Sequence, residues 1–275
     1  YRNHDHPFKY DISANLSTLR NRVTSLGFGT ESYITGAYAT YVGKEIGKFY
    51  GWVYEGIART QSDIDNHATQ QGANVGDCLY KDISGPNGEP DGVIDAYDQT
   101  VLGSGLAKMN FGLSAHMEYK GFDLSISTYG ALNYHVADDI YNSLNSCYGW
   151  GNKDVAMADA NRFSEDGSTY LSNVPRTYVD NKGTLAWNDL FSSRKIQNAA
   201  YWKIANVELG YNFPDRWFKG LVTGVRAYVS AQNLYTFTGY KGYNVDYAGG
   251  TFTPGYNFCS FPSARSFMAG LHFTF

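Results

Sequence analysis

Apolar and polar residues alternate along several stretches of this chain of 275 residues. In the last stretch, every second residue from Phe267 to Phe275 is apolar, and most of the residues between them are small or polar. Side chains of a strand point alternately to the two faces of a sheet, so this pattern predicts a strand with one apolar face. Similar stretches upstream have about the 9 to 11 residues that a tilted strand needs to cross a bilayer.

Seven strands are predicted in this way, although the second is aromatic-rich and alternates less regularly. Lys120 and Gly121 lie between the third and fourth strands, a spacing typical of a two-residue hairpin. The sequence therefore predicts an all-β fold. The predicted strands cover about residues 8–22, 46–59, 108–119, 122–127, 199–213, 225–237 and 264–275.

Long and short connections alternate over most of the chain. Long segments follow the second, fourth and sixth predicted strands, short ones follow the third and fifth, and only the connection at about 23–45 breaks the rule. Long loops on one side and short turns on the other are typical of a transmembrane antiparallel β-barrel. Seven strands cannot easily close around connections of this bulk, so we expect residues 1–275 to be the C-terminal segment of a larger barrel.

Composition agrees with a barrel and excludes some alternatives. Aromatic residues make up 16% of the chain and charged residues 17%, a profile shared by membrane barrels and lectin-like β-proteins. The chain contains no run of about 18 apolar residues, the length that a transmembrane helix needs. A net charge of -4 without a Lys/Arg cluster argues against nucleic acid as a partner. No motif typical of a hydrolase or metalloprotease is present, which predicts that the protein is not an enzyme.

An acidic segment, residues 87–98, is a candidate metal site. Oxygen-bearing side chains take positions 1, 3, 5, 9 and 12 of this twelve-residue segment, as in an EF-hand loop that wraps Ca²⁺. The stiff Pro90 and the short Asp at position 12 favour the alternative, a solvated acidic turn. No cofactor is expected to be required beyond this possible Ca²⁺. The candidate ligands are Asn87, Glu89, Asp91, Asp95 and Asp98.

Aromatic residues of the predicted loops are candidates for substrate binding, because aromatic faces stack on sugars and on peptide side chains. The alternative for each is packing within the loops or contact with a partner protein. The candidates are Tyr148, Trp150, Trp187, Tyr243 and Tyr256.

Two further features fall in the predicted loops. Residues 134–144 and 155–163 are predicted to form short helices within the longest loop. Cys78, Cys147 and Cys259 could supply one disulfide in an oxidising compartment, and their spacing does not select the pair.

Seven sequence blocks, in one order, resemble the closing region of SusC/RagA-type TonB-dependent transporters. One departure lies in the acidic loop, where residues 84–90 intervene between Lys81-Asp82 and Asp91-Gly92. The blocks are residues 47–57, 76–82, 91–98 with 100–103, 119–124, 209–214, 228–237 with 240–243, and the terminal strand.

This resemblance implies a 22-stranded barrel in the outer membrane of a Gram-negative, Bacteroidetes-like cell, with a plug domain absent from this chain. It further implies import of oligosaccharides or oligopeptides, driven by the TonB complex, with a SusD-like surface lipoprotein as a lid. Outer-membrane lipid would surround the barrel. Two other classes stay open on the residues alone, a secreted glycan-binding β-sandwich and a passive porin.

Overall fold

The computed structural model describes residues 2–3, 6–146, 152–155, 162–177, 187–218, 222–246, 249–258 and 260–275. Within these ranges the regular structure is almost entirely β, with two short α-helices, α1 (Gln61–Asp65) and α2 (Asp139–Leu144). The strands are β1 (Arg2–Asn3), β2 (Phe8–Thr18), β3 (Ser32–Thr35), β4 (Tyr38–Tyr41), β5 (Lys48–Gly51), β6 (Tyr54–Ile57), β7 (Cys78–Tyr80), β8 (Thr100–Ser104), β9 (Met109–Tyr119), β10 (Phe122–Leu132), β11 (His135–Asp138), β12 (Gln197–Asn198), β13 (Tyr201–Phe213), β14 (Gly224–Thr238), β15 (Tyr256–Asn257) and β16 (Ser266–Thr274).

One large antiparallel sheet, here called the wall sheet, has the strand order β1-β2-β9-β10-β13-β14-β16. Its six long strands correspond to six of the seven predicted strands, which confirms the predicted all-β architecture. Consecutive wall strands are neighbours throughout, as in an up-and-down barrel. The remaining member, β1, contributes only two residues at the edge.

The predicted strand over residues 46–59 is wrong as a wall strand. This segment forms β5 and β6, which belong to two separate small sheets among the loops. Phe49 is fully buried between the rings of Tyr38 and Phe191, so its aromatic character serves the packing of the loops.

With this correction the alternation of connections becomes regular. Long segments join β2 to β9, β10 to β13 and β14 to β16, whereas short turns join β9 to β10 and β13 to β14. The first connection is therefore one long loop, and the apparent exception at 23–45 disappears. All long loops leave from one end of the wall sheet, called the long-loop end below.

The hairpin predicted at Lys120-Gly121 is present. Both residues have positive φ, 48° for Lys120 and 86° for Gly121, as a type I′ turn requires. This turn type matches the twist of paired strands, which explains how β9 and β10 remain in register from Tyr119↔Phe122 to Met109↔Leu132.

Strand register gives the wall sheet one apolar and one polar face. Directly paired residues share a face, so rows can be followed across six strands. One row is Tyr10, Met117, Leu124, Leu209, Val229 and Ala269, and the adjacent row is Asp11, His116, Ser125, Glu208, Ser230 and Met268.

The apolar face is open to the surroundings, and the polar face carries the loops. Phe267 and Leu271 on the apolar face are 71% and 62% exposed. On the polar face, Ala131 and Tyr201 pack with Tyr134 and Tyr240 of the long loops in a buried cluster. The arrangement is the one expected of a barrel wall, with loops folded over the inner side.

No helix within the ranges listed above as described is both long and apolar enough to cross a membrane. The helix predicted over 134–144 is confirmed only in its second half, because residues 135–138 form β11. The helix predicted over 155–163 falls largely outside the described residues.

Asp138 anchors the loops to one another. It is almost fully buried, caps α2 by accepting the Tyr141 N–H at 2.8 Å, and accepts a hydrogen bond from the Tyr240 hydroxyl. Asn257 donates to the Asp138 carboxylate at 3.0 Å. Burial, followed by the nearby Asp138 carboxylate, raises the pKa of Tyr240, which stays a protonated donor. The loop after β10 and the loop after β14 are thus joined through one carboxylate.

Substituting Asp138→Ala should release these loops. The change removes a helix cap and leaves the buried Tyr240 hydroxyl without its acceptor, at roughly 1–3 kcal/mol for an unpaired buried group. Hydrogen exchange of the full-length protein should quicken in α2 and in residues 240–246. Asp166→Ala is the matched control, because Asp166 lies on an exposed turn and accepts only from Ser164 and Ser168 within the described chain. Equal exchange in the two variants would contradict the anchoring role.

A second close approach joins the loop before β9 to the loop after β14. A Cβ atom at Gly105 would lie 1.9 Å from the carbonyl oxygen of Pro254, and backbone atoms cannot rotate away as a side chain can. Gly105→Ala should therefore destabilise the docking of these loops by about 1–3 kcal/mol.

Limited proteolysis of the folded protein checks this prediction, and cleavage within 239–258 should become faster in Gly105→Ala. Gly56→Ala serves as the control because a Cβ there meets no atom within 4 Å. The same cleavage rate in both variants would show that the loops are not held by this contact.

Candidate functional site

The polar face of the wall sheet forms the first part of the candidate site. Near the β9–β10 turn, Arg226 donates to Asp123 Oδ2 at 2.9 Å and to Glu208 Oε1 at 2.7 Å. Asn212 also donates to Asp123, at 3.1 Å. A Cβ at Gly210 would lie 2.4 Å from the Arg226 guanidinium, so the guanidinium can lie flat across β13 only because this position has no side chain. The network ties three strands together at the short-turn end.

A groove of about 570 Å³ runs along this face beside the network. Its lining mixes hydrogen-bond donors and acceptors, and both of the network's carboxylates are already paired with Arg226. Such a surface can hold a polar solute through many exchangeable hydrogen bonds. The lining residues are Asn206, Glu208, Arg226, Tyr228, Ser230, Gln232, Met268 and His272.

The long-loop end of the same face is closed by the loop after β14. Asp246 of this loop forms an ion pair with Lys203 at 2.6 Å and accepts from the Tyr129 hydroxyl at 3.1 Å. Lys203 and Tyr129 are directly paired residues of β13 and β10. One loop carboxylate therefore fixes the position of residues 239–246 over the polar face.

Beside this clamp lies a pocket of about 320 Å³. Tyr243, a predicted substrate residue, is among its lining residues and is 60% exposed. Arg265 and Asn244 add polar groups to the same pocket. Proteins commonly bind sugars and peptides through an exposed aromatic ring that lies next to hydrogen-bonding groups.

Neither of the other two predicted aromatic residues that the structure describes, Trp187 and Tyr256, lines this pocket. Tyr256 is half-exposed, and its hydroxyl donates to Asp139 at 3.0 Å. Trp187 is buried with Tyr80 and Ile94, and its indole N–H donates to the carbonyl of Gln71. Trp187 thus lies in the interior of the loops, the alternative stated for it above. Tyr148 and Trp150 lie outside the described residues.

The acidic segment 87–98 has a different organisation from an EF-hand. Asp98 is fully buried and accepts the backbone N–H groups of Ile83, Ser84 and Asp95. Asp95 accepts the N–H of Tyr97. These carboxylates are used to cap backbone groups of the turn.

No group of three or more His, Cys, Asp or Glu residues suited to a metal ion occurs in the part of the chain that the structure describes. Asn87, Glu89 and Asp91 lie on an exposed turn. Ca²⁺ binding by the segment stays a prediction, which calorimetric titration with Ca²⁺ checks.

The cysteines give no cross-link between described segments. Cys78 is fully buried and packs with Tyr80 and Trp187. Cys147 and Cys259 lie outside the described residues, so the pairing stays open.

Several residues of the site were not predicted, above all the Arg226 network and the Asp246 clamp. Arg226 and Asp123 are 103 positions apart, and Asp246 and Lys203 are 43 apart. The three wall residues among them, Asp123, Lys203 and Arg226, occupy polar positions of alternating strands, which is the only signal the sequence carries for them. Their partners follow only from the strand order.

Comparison with known proteins yields relatives along nearly the whole chain, although no protein-family model matches it. TonB-dependent receptor P3 of Formosa agariphila is 28% identical over 287 residues, which span 98% of this chain and 27% of that receptor. TonB-dependent receptor SusC of Bacteroides thetaiotaomicron is 26% identical over 282 residues, which span 98% of this chain and 24% of SusC. The chain thus spans about a quarter of the length of these curated relatives.

A solved structure of the RagAB peptide transporter shares the fold, with a TM-score of 0.76 and 21% identity over all of this chain and 28% of that one. The same complex in its closed-closed state gives a TM-score of 0.75. These comparisons confirm the resemblance to SusC/RagA-type TonB-dependent transporters, and the chain has the fold of a C-terminal segment of their antiparallel barrel.

Proposed function

We propose that this chain forms part of an outer-membrane barrel that imports nutrients with energy from the TonB complex. The carrying observation is the wall sheet, whose apolar face is open while its polar face is grooved and covered by loops. Membrane barrels need this arrangement, since lipid requires apolar side chains and a closed hydrogen-bonded wall. The curated relatives, all named TonB-dependent receptors, support the same conclusion.

The cargo we propose is an oligosaccharide or an oligopeptide. The pocket with Tyr243 and the groove with Arg226 offer an exposed ring, amides and hydroxyls, which suit either class. RagAB is described as a peptide transporter, which supports the peptide alternative by similarity. We propose no catalytic role, and the names of these relatives as receptors and transporters support this proposal.

We further propose a SusD-like lipoprotein as the partner at the long-loop end. Exposed apolar side chains occur there on the β3–β4 hairpin and before it. Tyr33 and Ile34 are half-exposed, and Phe28 is fully exposed. Apolar surface of this kind commonly marks contact with another protein. The TonB complex would act through a plug domain of the complete transporter.

The alternative of a secreted β-sandwich is disfavoured by the wall sheet. A sandwich buries its apolar faces between two packed sheets. No second sheet covers the apolar face in the described residues, and Phe267 and Leu271 remain mostly exposed. A passive porin would have the same barrel fold, so an experiment is needed to distinguish it from an importer.

Membrane location is the first test. The native full-length protein that carries this chain should stay with the outer-membrane fraction and be released only by detergent. It should also migrate differently in gel electrophoresis before and after boiling, because a closed barrel resists unfolding by detergent. Recovery of intact protein in the soluble fraction without detergent would contradict the barrel.

Conductance distinguishes the importer from a passive porin. The purified full-length protein in a planar bilayer should show no steady ion conductance, because a plugged lumen is closed without TonB. Steady channels in this bilayer, where TonB is absent, would favour the porin. An open porin reconstituted in the same bilayer provides the positive control.

A further inference from the structure

A third pocket, of about 460 Å³, lies at the long-loop end between loop segments that flank two wall strands. Ala200 precedes β13, while Gly239 and Lys241 follow β14. Arg194 and Gln197 come from the segment that leads into β13, and Tyr141 comes from α2. We call it the basic pocket. It is separate from the groove and the Tyr243 pocket described above.

The basic pocket carries two cations without a compensating anion. The side chains of Arg194 and Lys241 have no hydrogen-bond or ion-pair partner among the described residues, and no described lining residue bears a carboxylate. Elsewhere in the molecule, Lys203, Arg226 and Lys195 are all paired with carboxylates. In a chain with a net charge of -4, two cations that line one pocket form a local positive site.

The acidic residues of the neighbouring helix do not neutralise this charge from within the pocket. Asp138 is engaged by Tyr240, Asn257 and the Tyr141 N–H, and Asp139 accepts from Tyr256. Neither belongs to the pocket lining. These hydrogen bonds orient both carboxylates toward loop partners, and neither of them forms an ion pair with Arg194 or Lys241 among the described residues.

The amides of the pocket are arranged as donors. Gln197 Oε1 accepts the Lys241 N–H at 3.0 Å, which fixes the side-chain amide and leaves Nε2 as its donor end. That Nε2 is buried and has no acceptor within the described ranges. Asn198 Oδ1 likewise accepts the Ala200 N–H at 2.9 Å, so the acceptor ends of both amides are used within the chain.

We propose that the basic pocket binds a carboxylate group of the imported cargo, either a uronic acid of a glycan or the C-terminus of a peptide. A carboxylate supplies only acceptors, which matches two cations and surplus amide donors. The planar guanidinium of Arg194 can take it in a bidentate pair, with Lys241 as a second charge. The assignment to cargo rests on the proposed import function, but binding itself can be measured without transport.

Calorimetry on the purified full-length protein in detergent tests the pocket with two matched probe pairs. Trigalacturonate is compared with its methyl ester, and N-acetyl-trialanine is compared with its amide. Each neutral partner removes the charge; the amide keeps the size of its acid, and the ester adds only one methyl group at each carboxyl. We expect one acid, or both, to bind at least about tenfold more tightly than its neutral partner. The acid that does so identifies the source of the carboxylate.

Variants connect the binding to the pocket. Arg194→Gln and Lys241→Gln should each weaken the acid by about tenfold, and Lys241→Arg should retain affinity because it keeps the charge. Lys120→Gln is the control, since it removes a lysine at the opposite end of the wall sheet. Unchanged migration of unboiled protein shows that each variant is folded.

Three results would overturn the proposal. They are equal binding of acid and neutral partner, no binding of either acid at millimolar concentration, and wild-type affinity in Arg194→Gln. A fourth concerns lipid, because phospholipid phosphates are also oxyanions. Loss of co-purifying phospholipid in Arg194→Gln, with unchanged probe affinity, would assign the pocket to a lipid headgroup. Failure of import with retained acid binding would refute the transport proposal alone.

Discussion

The apolar face of the wall sheet requires apolar surroundings, and this requirement determines on which side of the sheet the rest of the chain folds. Rows such as Tyr10, Met117 and Leu124 run unbroken across the wall strands. Within the described ranges no second sheet covers this face, and the loops fold over the other side. In lipid, backbone donors and acceptors have no water to bind and must pair with one another. The hydrogen-bonded strands of the wall sheet provide these pairs.

Several of the contacts that hold the loops are each centred on one carboxylate. Asp246 reaches Lys203 and Tyr129 of the wall, and Asp138 joins three loop segments. Asp77 does the same elsewhere, accepting from Arg176 at 2.6 Å and from Asn188 at 2.7 Å. Breaking one partner of such a buried pair is costly, because the remaining charge stays desolvated. The loop layer can therefore keep a defined shape around the pockets although its apolar clusters are small.

Much of the wall could be predicted from the sequence, and most of the site could not. Strict alternation identified β2, β9, β10, β13, β14 and β16, since lipid and lumen impose a period of two over the full strand. Residues 46–59 misled because an aromatic strand packed among loops and an aromatic wall strand have similar composition. Phe49 is buried within a small sheet of the loops, and the sequence pattern alone does not distinguish this position from an aromatic position of the wall sheet.

The site depends on pairs that are distant in sequence. Arg226 could be placed on a polar face, but its partners Asp123 and Glu208 follow only from the strand order. The acidic segment 87–98 shows the reverse case. Its spacing suits Ca²⁺, yet the Asp98 carboxylate accepts backbone N–H groups of Ile83 and Ser84. These residues lie at the start of the stretch that lengthens the loop before Asp91.

The central claim is that the apolar face of the wall meets lipid, and two residues of β16 test it most directly. Leu271→Arg places a charge on that face and should cost about 2–4 kcal/mol near the bilayer centre. Met268→Arg places the same charge on the polar face, opposite Ser230, and should be tolerated. The measurement is the fraction of full-length protein in the outer membrane that migrates as folded barrel before boiling. We expect a large loss for Leu271→Arg and none for Met268→Arg, and the opposite order, or equal effects, would contradict the account.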